Sequence, residues 1–251
     1  AWFADVIFPA SAQPEKAGTY TNSNRQVQIG MPVRKIPGNA KQDWKLIADL
    51  ANNCGLNWKY KKVSEVYEEM ASTMSSLDNI TWNRLEREGA ICYPVNDEKS
   101  FGNEIIFTEG FPTFNGKAKI VPADLLPPDD VPDDKFPFIL TTGRLLEHWH
   151  TGAMTRRSTM LEAQEPTATV SMHPKDIRRL GLERGEKVLV ETKRGKIEIL
   201  LRADREVSIG MLFIPFCFTE APANFLTNPQ LDPIGKIPEF KFSAARICKA
   251  V

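Results

Sequence analysis

The sequence predicts a chain of mixed α/β and β class, in which a small closed β-barrel follows an incomplete α/β segment. Three observations lead to this prediction. Helical apolar spacing recurs in the first 75 residues, short β-rich runs dominate after residue 136, and a proline- and aspartate-rich stretch separates the two patterns. At 251 residues the chain is long enough for two modest domains, each with its own core.

The opening residues 1–9 form an apolar run that we interpret as the last strand of a sheet whose other strands precede this chain. The run has neither an initiator methionine nor the charged flank of a signal peptide. We therefore expect the chain to be part of a longer protein. The alternative is a mature protein that begins with an ordinary edge strand.

Two helices are predicted before residue 75. The first has apolar side chains at helical spacing, at Trp44, Ile47, Leu50 and Ala51. Gly55 is expected to end this helix, and residues 64–74 repeat the pattern with Ser64 as the predicted N-cap. Between residues 78 and 120 the sequence indicates only short strands, near 104–108 and 118–121.

Residues 122–134 mark the clearest boundary, because they contain four prolines and five aspartates. Such a composition disfavours both a helix and a central strand and is typical of an extended connector. We therefore divide the chain into an α/β segment at residues 1–121, a linker at 122–135 and a barrel domain at 136–251.

The barrel domain is predicted to contain short strands and one helix. The strands are expected at residues 136–140, 167–171, 187–192, 196–201 and 211–216. Pro174 begins a short helix that Gly181 ends. The run Lys193-Arg194-Gly195 predicts a hairpin turn in which Gly195 adopts a positive φ.

Residues 141–158 are the most informative segment. They follow a buried strand and hold two of the three histidines, three arginines and several hydroxyl side chains. A loop of donors at the end of a strand is typical of a site for a large anionic or heteroaromatic ligand. No nucleophile, carboxylate pair or set of metal ligands accompanies the donors, so we expect the loop to hold a group that performs the chemistry.

Charge and cysteine content exclude several other classes of function. The 32 basic and 32 acidic residues balance, which argues against nucleic acid or an anionic membrane surface as a partner. The apolar runs are too short to cross a bilayer, so no membrane insertion is expected. The four cysteines contain no Cys-x-x-Cys pair, which argues against an iron–sulfur or zinc site here and favours free thiols in the cytoplasm.

Several motifs occur in an order that resembles the molybdopterin oxidoreductases, and within them the catalytic (alpha) subunit of formate dehydrogenase. The matching segments are 4–9, 15–28, 43–44, 141–152, 172–181, 224–227, 232–233 and 238–241. The resemblance covers residues 1–60 and 136–248. It implies that residues 136–251 form a six-stranded, double-psi-like β-barrel that binds a molybdopterin dinucleotide.

The family resemblance also implies a cofactor that this chain shares with upstream sequence. Family members bind two molybdopterin guanine dinucleotides, together called bis-MGD, around one molybdenum or tungsten. Their metal-ligating residue, catalytic side chains and iron–sulfur cysteines lie upstream, so no catalytic residue and no metal ligand is expected here. The expected partners are the N-terminal remainder of the catalytic subunit and electron-transfer subunits.

The resemblance and the residue chemistry together predict a set of cofactor-binding residues. They are Asp43, Thr142, Gly143, Arg144, Leu145, His148, His150, Thr151, Phe216, Asn224 and Lys241. Arg144 suits phosphates and pterin carbonyls because a guanidinium donates two parallel hydrogen bonds. In an extended segment His148 and His150 would share one face, where they would donate hydrogen bonds or, with a third ligand, hold a metal.

Other positions keep two interpretations. Asp43 is either the N-cap of the first helix or a carboxylate that pairs with a guanine edge. Asn224 and Lys241 contact the pterin or its phosphates, or are a loop-stabilising amide and a surface lysine. Arg156 and Arg157 either extend the anion contacts or are solvated. Phe216 replaces a polar aromatic residue of some relatives and so lacks its hydrogen bond.

Residues before the first helix and His173 are expected to have structural roles. Glu15, Gly18, Thr21, Asn22 and Arg25 are predicted to brace a turn beneath the cofactor. His173 is predicted to cap the helix that Pro174 begins.

The predicted activity is that of a formate dehydrogenase, which oxidises formate to carbon dioxide and passes electrons to iron–sulfur centres. Three alternatives stay open. One is a nitrate or other oxyanion reductase of the same superfamily. Another is a non-catalytic relative in a respiratory NADH dehydrogenase, and the third is a free-standing cofactor-binding module.

Overall fold

The computed structural model describes residues 3–250, which divide into two compact units between residues 121 and 122. Each unit has its own cluster of buried apolar side chains. The first unit combines a small sheet with three helices, and the second is a closed β-barrel with two short helices.

The first unit is built on a three-stranded antiparallel sheet. Its strands are β1 (Gly18–Thr21), β2 (Gln26–Gly30) and β3 (Ala90–Cys92), in the order β1-β2-β3. The helices are α1 (Asp43–Asn53), α2 (Val63–Ser72) and α3 (Trp82–Glu88). The buried core joins the sheet to α2 and α3 through Val27, Tyr67, Ile80, Trp82, Leu85 and Ile91.

Local side-chain hydrogen bonds explain two features of this unit. The Asn22 side-chain oxygen accepts hydrogen bonds from the amides of Asn24 and Gln26, which closes the β1–β2 turn. The Thr81 hydroxyl accepts from the Arg84 amide at 3.2 Å and caps α3. Neither the hairpin nor α3 was predicted, because neither has a long run of periodic apolar residues.

Several predictions for the first unit are wrong. Residues 1 and 2 lie outside the described residues, and residues 3–9 form no strand. Their chain is instead tied to Lys41 by backbone hydrogen bonds, the Lys41 amide donating to Pro9 at 3.0 Å and the Ser11 amide donating back to Lys41 at 2.8 Å. The segments 104–108 and 118–121 also form no strand.

The two predicted helices form, with differences in detail. Cys54 is the C-cap of α1 and Gly55 follows with a φ of +90°. Ile47 and Leu50 are about half exposed, and the buried positions of the helix are Ala48 and Ala51. Apolar spacing therefore identified the helix but not the face that this unit buries.

Ser64 does not cap α2, because the helix begins one residue earlier, at Val63. The Glu65 carboxylate accepts a hydrogen bond from the Lys61 amide at 2.7 Å. The Glu65 side chain in the first turn thus holds the residue that precedes the N-cap, Lys62, whose own side chain caps no amide.

The second unit is a closed six-stranded barrel, which confirms the predicted fold. Its strands are β4 (Phe138–Gly143), β5 (Thr169–Met172), β6 (Lys187–Thr192), β7 (Lys196–Ala203), β8 (Met211–Pro215) and β9 (Ser243–Lys249). They close in the order β4-β8-β5-β7-β6-β9. The pairs β4–β8 and β5–β7 are parallel and the other neighbours are antiparallel. The helices are α4 (Thr159–Gln164) and α5 (Pro174–Arg179).

In β4, β6 and β7, alternation of buried and less buried residues places one face of the strand in the barrel core. In β6 the inward residues include Val188 and Val190, and in β7 they are Ile197, Ile199 and Leu201. Each such side chain stabilises the fold by about 1.5–3 kcal/mol relative to an exposed position. The period of two is therefore enough to fix which face of the strand turns inward.

The β6–β7 turn differs from its prediction in one respect. The φ of Gly195 lies outside the left-handed region. Glycine is required for another reason, since a Cβ at this position would lie 2.8 Å from the carbonyl oxygen of Phe225.

His173 caps α5 as predicted, because its Nδ1 accepts from the Lys175 amide at 3.0 Å.

Residues 122–135 contain neither a helix nor a strand, as the composition predicts. Among residues 3–250, each helix is too short or too polar to span a lipid bilayer.

Candidate functional site

Strand register brings the predicted donors of the barrel to one edge. The parallel pairing of β4 with β8 places Gly143 opposite Pro215, so both strands end at this edge. The antiparallel pairings place the end of β6 and the start of β9 there as well. Three connections therefore lie at this edge, which we call the carboxyl edge: residues 144–168, 193–195 and 216–242.

The end of β4 is fixed by contacts to the last of these connections. Thr142 is buried, and its hydroxyl donates to the Phe240 carbonyl at 3.0 Å. The Lys241 ammonium donates to the Thr142 carbonyl at 2.5 Å and lies 5.7 Å from the Phe216 ring centroid. Thr142 and Lys241 thus join two loops, and at least part of the hydrogen-bonding capacity of each is used inside the protein.

Gly143 has a packing role at the same place. A Cβ at this residue would lie 2.4 Å from the Phe213 ring, which leaves no room for a side chain. Leu145, two residues further on, packs against the barrel core. Both residues direct the chain out of β4 and set where the following donors begin.

Four of the predicted donors have free side chains. Arg144, His150, Thr151 and Asn224 are exposed, and none makes a side-chain hydrogen bond to another residue in the range 3–250. The Arg144 guanidinium stacks over the Trp149 ring at 5.4 Å. A stacked guanidinium keeps its in-plane donors available, so Arg144 is held in place without using them.

His148 and His150 do not share a face, which corrects the extended arrangement expected for them. His150 has a φ of +53° and its ring lies against Phe216 at a centroid distance of 5.4 Å. His148 is completely buried, and its Nε2 lies 2.8 Å from the Glu165 carbonyl oxygen. His148 therefore packs the loop from beneath, and its position does not favour direct contact with a ligand.

Arg156 is not a free anion-binding group. It forms ion pairs with Glu162 at 2.9 Å and Glu220 at 2.7 Å, and it stacks over Phe218. The hydrogen bonds that the guanidinium donates to the carboxylates of Glu162 and then Glu220 raise its pKa further above the ordinary value. Arg156 therefore ties connection 144–168 to connection 216–242, while Arg157 is exposed.

Asp43 belongs to the first unit and is the first residue of α1, whose N-cap is Gln42. The N-cap interpretation is therefore wrong. The Asp43 carboxylate pairs with Lys16, and this hydrogen bond holds its pKa below the ordinary value. An ionised, exposed carboxylate at a helix start can still accept hydrogen bonds from a ligand.

Arg25 braces the β1–β2 turn, as expected. Its guanidinium donates to the carbonyls of Tyr93 at 2.5 Å, Asn103 at 3.0 Å and Glu104 at 2.7 Å. The guanidinium is thus occupied with backbone groups of its own unit.

A buried network at the carboxyl edge was not predicted. Asp130 of the linker, Arg194 of the β6–β7 turn and Asn228 form hydrogen bonds with one another in sequence. The only sequence signal was a charged residue in the predicted connector and another in the predicted hairpin turn. Composition alone gives no sign that a connector folds back onto the barrel.

The chemistry of the free donors fits a pterin dinucleotide. A pterin edge carries amide-like donors and acceptors, and a dinucleotide carries phosphate oxygens. Guanidinium, imidazole, hydroxyl and carboxamide groups at one edge can satisfy both. Within residues 3–250, no three His, Cys, Asp or Glu side chains are grouped as a metal site would require.

Comparisons with known proteins agree with this chemistry. The family described as "Molydopterin dinucleotide binding domain" matches residues 138–244, and "Molybdopterin oxidoreductase" matches residues 1–53. The chain is 39% identical to the F420-dependent formate dehydrogenase subunit alpha of Methanocaldococcus jannaschii, over 97% of this chain and 36% of that protein. It is 32% identical to the assimilatory nitrate reductase catalytic subunit of Bacillus subtilis, over 98% and 36%.

The fold is also that of a solved structure. Acetylene hydratase from Pelobacter acetylenicus matches with a TM-score of 0.74 at 19% identity, over 97% of this chain and 38% of the other. This chain thus spans little more than a third of the proteins it matches. Sequence matches in both units and the barrel fold lead to one conclusion: residues 1–53 match the molybdopterin oxidoreductase family, and residues 138–244 match the molybdopterin dinucleotide-binding domain.

Proposed function

We propose that this chain is the cofactor-binding C-terminal part of a formate dehydrogenase. The observation that carries the proposal is the carboxyl edge, where Arg144, His150, Thr151 and Asn224 present free donors on the barrel that matches a dinucleotide-binding family. Three relatives named as formate dehydrogenase alpha subunits, at 34–39% identity over almost the whole chain, support the choice of substrate.

The proposed reaction converts formate to carbon dioxide, one proton and two electrons. The bound bis-MGD with molybdenum or tungsten would supply the redox chemistry, together with residues of the upstream chain. The residues of this chain would bind and orient the dinucleotide, which is the usual share of a protein in cofactor chemistry. Arg144 would donate paired hydrogen bonds, and Asn224 would meet a pterin edge with one donor and one acceptor.

The proposed partners are the upstream part of the catalytic subunit and electron-transfer subunits that hold iron–sulfur clusters. We place the protein in the cytoplasm. The four cysteines are unpaired in the described residues, in agreement with a reducing compartment.

Analysis of the native full-length protein tests the assignment. We expect one molybdenum or tungsten and two pterins per protein, and reduction of a viologen dye that depends on formate. Nitrate-dependent oxidation of reduced viologen without formate activity would favour the nitrate reductase alternative, which the Bacillus subtilis relative supports. Absence of metal and pterin from folded protein would overturn the proposal.

A pair of variants tests the role of the carboxyl edge. We expect Arg144→Gln to increase cofactor release on the order of tenfold, because hydrogen bonds from a charged guanidinium contribute about 1.5–3 kcal/mol. Arg205→Gln is a matched control, because Arg205 is exposed in the connection 204–210 at the opposite end of the barrel. Equal release from both variants would contradict the assignment of the site.

A further inference from the structure

Asp130 is a buried carboxylate in the segment that the sequence predicts to be an extended connector. Its side chain is 2% exposed and accepts three hydrogen bonds, although the linker forms no helix or strand. The donors are the Lys193 ammonium at 3.0 Å, the Arg194 guanidinium and the Ala244 amide at 2.9 Å. The linker is therefore anchored to the β6–β7 turn and to the start of β9.

Asp130 remains ionised in this environment. Burial alone would raise the pKa of its carboxyl, but the hydrogen bonds from Arg194, Lys193 and the Ala244 amide outweigh burial and hold the pKa below its ordinary value. A buried charge that is fully hydrogen-bonded fixes the groups that contact it, because any displacement leaves the charge without a partner.

From Asp130 a chain of hydrogen bonds leads across the carboxyl edge. The second guanidinium nitrogen of Arg194 donates to the Asn228 side-chain oxygen at 3.1 Å. The Asn228 side-chain nitrogen donates to the Glu239 carboxylate at 2.7 Å, and the Asp129 amide donates to the same carboxylate at 3.2 Å. Asn228 is itself buried, so the chain is shielded from solvent at its centre.

The far end of this chain lies next to predicted cofactor-binding residues. Glu239 precedes Phe240 and Lys241, and both of these contact Thr142. The linker thus fixes, through Arg194, Asn228 and Glu239, the segment that holds Lys241 against the end of β4. Since Arg144 follows β4 directly, the same contacts set where the free donors begin.

We propose that Asp130 is a positioning residue for the carboxyl edge, acting through Arg194, Asn228 and Glu239 on Lys241 and Thr142. The inference rests on the proposed function, in that the group held at this edge is taken to be a pterin dinucleotide. It goes further by assigning a role to the linker, which contributes no cofactor donor of its own.

The test uses full-length holoenzyme and two readouts. One is the first-order rate of pterin release, followed by fluorescence of the oxidised pterin below the unfolding temperature of every variant. The other is amide hydrogen exchange of peptides covering residues 228–241. The variants are Asp130→Asn, Asn228→Ala and their combination, and the matched control is Asp134→Asn. Asp134 is an exposed linker residue that makes no side-chain hydrogen bond within residues 3–250.

We expect each single variant to raise pterin release on the order of tenfold and to speed exchange in 228–241. The double variant is expected to release pterin at about the rate of one single variant, since both changes break the same chain of contacts. Asn228→Ala leaves the Asp130–Arg194 ion pair in place, so it tests the relay even if Asp130→Asn folds poorly.

Two results would overturn the inference. One is release from Asp130→Asn at the rate of the Asp134→Asn control. The other is a double variant whose effect equals the product of the two single effects, because Asp130 and Asn228 would then act independently. Wild-type protein that holds pterin but does not oxidise formate would overturn only the formate assignment. Wild-type protein without pterin would overturn both proposals.

Discussion

Two clusters of charged side chains hold the connections at the carboxyl edge, and they differ in burial. Arg156 binds Glu162 and Glu220, whose side chains are 31% and 48% exposed. Asp130, by contrast, is 2% exposed between Lys193 and Arg194. The Arg156 cluster joins two loops at the surface, while the Asp130 cluster joins the linker to the barrel through a buried carboxylate.

The difference in burial predicts a difference in energy. Water competes for the exposed Arg156 cluster and salt screens it, so pairs of this kind stabilise proteins weakly. The buried Asp130 carboxylate is no longer hydrated, so water cannot replace hydrogen-bond partners that are removed. The two clusters therefore have similar geometry, but breaking the Asp130 cluster is expected to lower the free energy of unfolding far more.

The largest effect is expected for Asp130→Ala. We predict a loss of about 3 kcal/mol in the free energy of unfolding, at the low end for a broken buried pair because Lys193 and Arg194 keep access to water. Denaturant unfolding followed by circular dichroism measures this loss. Asp134→Ala removes the same charge from the same linker and is expected to change stability little.

The pH dependence gives an independent check on the Asp130 prediction. The pKa of Asp130 is lowered on folding from 3.8, so its contribution to stability is present above that value. It is lost as pH falls below 3.8 through the lower pKa of the folded state. The stability difference between wild type and Asp130→Ala should therefore shrink in acid. A difference that stays constant to the lowest pH would show that the carboxylate charge is not what stabilises the linker.

The next largest effect is expected at Gly195, in the turn that carries Arg194. A Cβ there would lie 2.8 Å from the Phe225 carbonyl, so Gly195→Ala must displace one of two backbones. We predict a loss of about 1–3 kcal/mol, typical of overpacking. Gly18→Ala is the control, since a Cβ at Gly18 meets no atom within 4 Å. Equal stability of both variants would contradict the prediction, because the turn would then accept the Cβ without a loss in the free energy of unfolding.

Apolar strand positions and buried polar positions also differ in how well they could be predicted from the sequence. Strands β6 and β7 were predicted nearly to the residue, because alternating Val, Ile and Leu side chains report burial locally. Free donors such as Arg144 and Asn224 could be proposed because the chemistry of a side chain is visible in its identity. The free state of those donors is a structural result.

Burial of polar side chains could not be read in the same way. The sequence predicts cofactor binding for His148 and assigns no role to Asp130, and the structure buries both side chains. Their positions depend on partners 17 to 114 residues away, for example Glu165 and Ala244. Propensity and spacing report on neighbours along the chain, so contacts of this range leave no local signal.

The smallest effect is expected for Arg156→Gln in the exposed cluster. Loss of its two ion pairs should loosen connections 144–168 and 216–242, and amide exchange there should rise by no more than about fivefold. Because exposed pairs are screened, wild type and variant should converge as salt is added. Arg205→Gln, which removes an exposed charge at the opposite end of the barrel, is expected to leave exchange in both connections unchanged. A rise as large as that for Asp130→Asn, unaffected by salt, would contradict the comparison, because the Arg156 cluster would then hold the loops as a buried network does.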